Sequence, residues 1–133
     1  MNVLALLHEV LRRERQHESA WGTHDCLCWC AACALEMLHR DPIAHLRGRY
    51  DSEVSAKRLM LENGWHTLGD VAASLFPEIP VAQARSGDWA FLAHADGTES
   101  LGVVARSEIW GRGPKTLGII APLTAAQRAF RVQ

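Results

Sequence analysis

Trp21-Gly22-Thr23-His24-Asp25-Cys26 reads as a tight turn that delivers a cysteine to the first turn of a helix. The run that follows, Leu27 to Leu38, is apolar at every position except Glu36, and Asp41-Pro42 stops it. So little polar relief marks a buried helix. Asp25 is a good N-cap, because its side-chain oxygen takes one of the backbone N–H groups that lack an intrahelical partner, and Cys26 becomes the first helical residue. There the positive end of the helix dipole favours thiolate over thiol. A free cysteine also serves as a small buried hydrophobe, and placement alone leaves both roles open.

The chain has 133 residues, long enough for one real core, and is expected to form a single domain over 1–133. Its 14 basic and 15 acidic residues leave a net charge of −1, so electrostatics give no reason to expect nucleic acid as a partner. Met1 to Leu7 carries no basic residue, and its short apolar run ends at His8-Glu9. The segment therefore suits neither a signal peptide nor a membrane span, and the expected compartment is the cytosol.

Cys26, Cys28, Cys30 and Cys33 raise a metal or disulfide reading, which helix geometry tests. At roughly 3.6 residues per turn Cys26, Cys30 and Cys33 share a face, whereas Cys28 points about 160° away from Cys26. One helix cannot offer all four to one ion, so no metal and no cofactor is expected. Disulfides do not suit a reducing compartment. Helix packing is the expected use of Cys28, Cys30 and Cys33.

Outward from the central helix, Asn2 to Gln16 carries Val3, Leu4, Leu6, Leu7, Val10 and Leu11 at helical spacing, the pattern of an amphipathic first helix. Pro42 to Tyr50 is irregular and basic, with His45, Arg47 and Arg49, and reads as a solvated loop. Asp51 or Ser52 caps a helix running to Glu62, with Asn63-Gly64 as a left-handed exit. Thr67 to Asp70 matches a capping box for another helix, which Pro77 ends. After Gly87-Asp88 the chain turns to short apolar runs separated by turn residues. Strands are expected near Trp89–Ala93, Ser100–Ala105, Glu108–Trp110 and Leu117–Ile120. Ala95-Asp96-Gly97 and Gly111-Arg112-Gly113-Pro114 supply turns, Pro122 to Arg128 a helical turn, and Ala129 to Val132 a last strand. Helices over about 1–77 and an antiparallel sheet over about 87–133 make an α+β domain.

A cysteine at the start of a central helix, followed by a small antiparallel sheet that opens with Gly-Asp, resembles the NlpC-type branch of the papain-like cysteine peptidases. Gly22, Asp25 and Cys26 match its nucleophile turn, and Gly87, Asp88 and Trp89 the step into its first strand. The Trp-Gly-x-His-Asp-Cys turn, Leu46-Arg47-Gly48-Arg49-Tyr50-Asp51, Leu101-Gly102-Val103-Val104 and Ala129-Phe130-Arg131-Val132 are also similar to a small phage and prophage family of unassigned function, whose members are often encoded among tail genes. The resemblance implies a papain-like fold with Cys26 as the nucleophile. It puts the partner histidine at the start of the second strand, where this chain has Ser100. A neutral hydroxyl cannot serve as that base. His94 is one substitute, since a shift in hairpin register would turn its ring towards Cys26. His24, on the turn itself, is the other.

The resemblance implies a structural or assembly component of a phage tail, at the tail tip, on a peptidase fold that has lost its catalysis. Its partners would be other tail proteins, and its locations the host cytoplasm during assembly and then the virion tail. An active cysteine hydrolase cutting peptidoglycan peptides or amides is the alternative. Trp21, Trp65, Trp89 and Trp110 serve either core packing or a groove for glycan or peptide. Asp25 needs no role beyond capping, and Asp88 none beyond its turn.

Overall fold

The computed structural model describes residues 1–113 and 115–133. Helix α1 spans Val3–Glu14, α2 Cys26–Leu38, α3 Glu53–Glu62 and α4 Leu68–Leu75. The strands are β1 (Glu78–Ile79), β2 (Trp89–Ala93), β3 (Glu99–Ala105), β4 (Glu108–Arg112), β5 (Leu117–Pro122) and β6 (Arg128–Phe130). They form one antiparallel sheet in the order β1-β6-β2-β3-β4-β5. The α+β architecture is as expected from the sequence, and among the described residues no helix is long and apolar enough to cross a membrane.

The helices begin where their caps dictate. Asn2, Asp25, Ser52 and Thr67 each accept a backbone N–H of the first turn, and Ser52 and Thr67 complete capping boxes with Ser55 and Asp70. Helix α2 ends at His39, in the left-handed conformation, two residues before Asp41-Pro42. It is buried at every position from Leu27 to Ala34, because α1 covers one side while β3 and β4 cover another. From α1 come Leu7, Val10 and Leu11, each worth about 1.5–3 kcal/mol when fully buried. Helix α4 packs on β2, β3 and β6.

The sheet is covered on both faces. Trp89, Phe91, Leu101, Val103, Ala105, Trp110 and Phe130 meet the helices. Ala90, Leu92, Val104 and Ile109 lie on the other side, beneath Ala84, Leu123 and Ala126. Two short 3-10 turns, Val81–Gln83 and Leu123–Ala125, carry the chain across that outer face.

Several boundaries differ from the sequence reading. Gly111 and Arg112 continue β4 instead of turning, since the absent Cβ of Gly111 leaves room for Ile120, whose Cδ1 would lie 2.6 Å from it. Pro114, the last residue of that expected turn, lies outside the described residues. The helical turn after Pro122 covers only Leu123–Ala125, and Arg128 already belongs to β6. Strand β1, flanked by Pro77 and Pro80, exists because β6 offers it an edge.

Asp88 anchors the C-terminus. Its carboxylate is 2% exposed and accepts from Arg85 N (2.9 Å), Val132 N (3.2 Å) and Arg131 Nε (3.0 Å). Its role therefore extends beyond the turn. Truncating Arg131 to alanine leaves a buried carboxylate without its countercharge, at an expected loss of about 2–4 kcal/mol in a urea unfolding curve. A loss below about 0.5 kcal/mol would mean that the two backbone amides alone neutralise Asp88.

Candidate functional site

The turn before α2 is closed by a reciprocal pair of hydrogen bonds, Ala20 N to His24 O (3.1 Å) and His24 N to Ala20 O (2.9 Å). Within it, Gly22 has φ +86° and lies so close to the segment after α2 that a Cβ would sit 2.3 Å from the carbonyl oxygen of Tyr50. Asp25 then bonds in three directions. Its Oδ1 accepts Cys28 N (2.8 Å), while its Oδ2 accepts Gly22 N (2.9 Å) and the Tyr50 hydroxyl (2.6 Å). Turn, helix start and the Tyr50 segment are thereby locked as one unit. Tyr50 was legible only as part of a basic loop, although it is the chain's single tyrosine. Burial, then the Asp25 charge, pushes its hydroxyl well above the usual tyrosine range.

Cys26 is the first residue of α2, as the sequence predicts. The residue keeps part of its surface in solvent, while its sulfur lies inside, against the backbone of Leu101 in β3. Burial first and the Asp25 carboxylate second push the thiol up from 9.0 to about 12, against the amides of Leu101 and Leu27, which pull it down. The thiolate favoured by the helix dipole is therefore overridden. Desolvation of a charge is worth several pKa units, a helix terminus much less.

The imidazole candidates lie elsewhere. Ser100 pairs with Leu92, which belongs to the outer face, and paired strand residues point to the same side. Ser100 is thus turned away from α2, as is His94, whose Nε2 lies 2.8 Å from Ser100 Oγ. The observed register, Leu92 against Ser100 and Ala93 against Glu99, leaves no shift that would turn His94 towards Cys26. The inward positions at this end of β3 are Leu101 and Glu99, and Glu99 accepts Leu68 N at the start of α4 (3.2 Å). His24 stacks on His17, with centroids 4.3 Å apart and planes 7° apart. Its Nδ1 is buried without a hydrogen-bond partner among the described residues. The polar groups that shift the Cys26 thiol most are Asp25, Cys28 and the two amides.

Cys28 points from the opposite side of α2 to the Tyr50 hydroxyl, 4.0 Å away, and burial raises it to about 11. Cys30 and Cys33 are fully buried in the helix–sheet core. Of the tryptophans, Trp89 and Trp110 are core residues, and Trp65 is half-buried. Trp29 Nε1 donates to Trp110 O (2.8 Å) and ties α2 to β4. Trp21, 50% exposed, is the aromatic that remains available. It edges an open groove of about 430 Å³ with Arg49, Tyr50, Asp51 and Ser55. Arg47 of the same loop is held by Asp41 (2.5 Å). A second groove, of about 650 Å³, lies between the end of α1 and strands β4 and β5.

No curated protein matches the chain. Residues 2–132 match the family described as "Domain of unknown function (DUF6950)". Since the match runs over nearly the whole fold, from the start of α1 to the residues after β6, the chain belongs to that family.

Proposed function

We propose that the chain is a catalytically silent papain-like domain of NlpC type that serves as a structural or assembly component of a phage tail, at its tip. One observation supports the loss of catalysis above all. Cys26 is carried to β3 on the first turn of α2, yet what meets its sulfur there is the main chain of Leu101, and the nearest histidine on the hairpin, His94, is bonded to Ser100 on the outer face. Without an imidazole to hold the thiolate and protonate the leaving group, acyl transfer to sulfur has no proton path. The tail role rests on the resemblance of the turn, the Leu46–Asp51 segment and the later strands to phage and prophage proteins. Partner surfaces in this reading are Trp21 and Arg49, which share one groove.

Alkylation with iodoacetamide, followed residue by residue in the mass spectrum, tests the chemistry. Cys26 is expected to stay unreactive at neutral pH and to react only as the pH approaches about 12. Because the unfolded chain releases this proton near 9 and the folded one near 12, stability falls as pH rises through that interval. A Cys26 midpoint at or below the free-thiol value would overturn the silent-site reading. So would release of peptidoglycan fragments by the wild type but not by Cys26→Ala, which would establish the hydrolase instead. For the tail role, the chain is expected to co-sediment with assembled tails, or tails to fail to assemble without it. Normal tails that neither contain nor need it would refute that part.

A further inference from the structure

We propose that the groove between the C-terminal end of α1 and strands β4 and β5 binds a small ligand through a phosphate dianion, a phosphomonoester. Two guanidinium groups are braced there in opposite directions. Arg112, closing β4, donates to Glu14 O (2.7 Å) and His17 O (3.2 Å) at the end of α1, while Arg15 Nε donates to Leu117 O (2.9 Å) at the start of β5. Gly118 makes room for this arrangement, since a Cβ there would stand 3.1 Å from a terminal nitrogen of Arg15. Both terminal nitrogens of Arg15 remain free of protein hydrogen bonds among the described residues.

Lys115 joins them in the lining. Among the described residues none of these three cations forms an ion pair, so their charge is not met by a carboxylate of the fold. Glu18 is the one carboxylate in the lining, and Ser19 and Thr116 add hydroxyls. Three cations against one anion, in a chain whose net charge is −1, make a local excess that matches a dianion better than a monoanion. Guanidinium forks fit phosphate oxygens in pairs, and forks already fixed by main-chain carbonyls lose little freedom on binding. The volume of about 650 Å³ suits a small organic body on the phosphate.

The test is calorimetric titration of the whole chain with inorganic phosphate, glycerol phosphate and acetate at low ionic strength. Phosphate is expected to bind in the millimolar range, glycerol phosphate at least as tightly, and acetate about tenfold more weakly. Lys115→Gln and Arg15→Gln should each weaken phosphate binding about tenfold, the removal of one charged contact. Lys57→Gln, which removes a lysine paired with Glu53 on α3, should leave it unchanged. Lys115 is exposed, so its variant keeps the fold and the comparison stays decisive. Equal affinity for acetate and phosphate, no phosphate binding, or binding indifferent to Lys115→Gln and Arg15→Gln would each overturn the proposal. Glycerol phosphate binding more weakly than inorganic phosphate would overturn the phosphomonoester assignment.

Discussion

Gly22→Ala is expected to lower the unfolding free energy by about 3–5 kcal/mol, a large fraction of what holds a domain of this size together. Two independent penalties combine. At φ +86° an L side chain is strained, and the added methyl would stand 2.3 Å from the Tyr50 carbonyl oxygen, a main-chain atom that cannot rotate away. Relief requires moving the Tyr50 segment, which also breaks the hydrogen bond from the Tyr50 hydroxyl to Asp25. Gly48 supplies the internal control, with φ +76° and nothing within 4 Å of its would-be Cβ. Gly48→Ala should therefore show only the conformational term, about 1–2 kcal/mol. Urea unfolding followed by tryptophan fluorescence measures both. If the two variants lose the same stability, close packing of the turn against Tyr50 contributes nothing, and the locked unit described above is not rigid.

The parts of this site that were legible in the sequence are those set by local chemistry. Asp25 as cap, Cys26 as first helical residue, Ser52 and Thr67 as caps and Asn63-Gly64 as an exit all depend on a few neighbouring residues. The strand from 100 to 105 was equally visible, but its facing was not. A half-buried strand betrays its inner side by alternation, whereas Leu101-Gly102-Val103-Val104-Ala105 is apolar throughout, because the helices cover one face and the segments around Leu123 and Ala126 cover the other. The sequence shows that Ser100 belongs to this strand, while the side it faces emerges only from the Leu92–Ser100 pairing. The same limit hid Tyr50. Its contact with Asp25 spans 25 residues and depends on the path of an irregular loop that no periodicity describes. Strand β1, two residues long, carries no pattern of its own and is defined wholly by its partner.

Asp25→Asn separates the two tasks that one carboxylate performs at the start of α2. The amide oxygen still accepts Cys28 N, so the cap survives, but the remaining oxygen position becomes an N–H₂ group that faces Gly22 N and the Tyr50 hydroxyl. The charged hydrogen bond from Tyr50 is lost and two donors are left opposed, at an expected cost of about 2–4 kcal/mol. Tyr50→Phe removes the hydroxyl instead, and its effect should overlap strongly with that of Asp25→Asn, so that the double variant is less destabilised than the sum. The chemical readout moves in the other direction. Burial is the first cause of the raised Cys26 thiol and Asp25 the second, so neutralising Asp25 lowers the alkylation midpoint of Cys26 while burial keeps it above the ordinary value of 9.0. A protein made less stable and a thiol made easier to ionise, by one substitution, is the result expected if Asp25 serves the fold at the expense of the Cys26 thiolate. A midpoint that rises in Asp25→Asn would mean that the carboxylate assists the thiolate, through a proton path absent from the bonding described here, and the silent-site reading would fall with it.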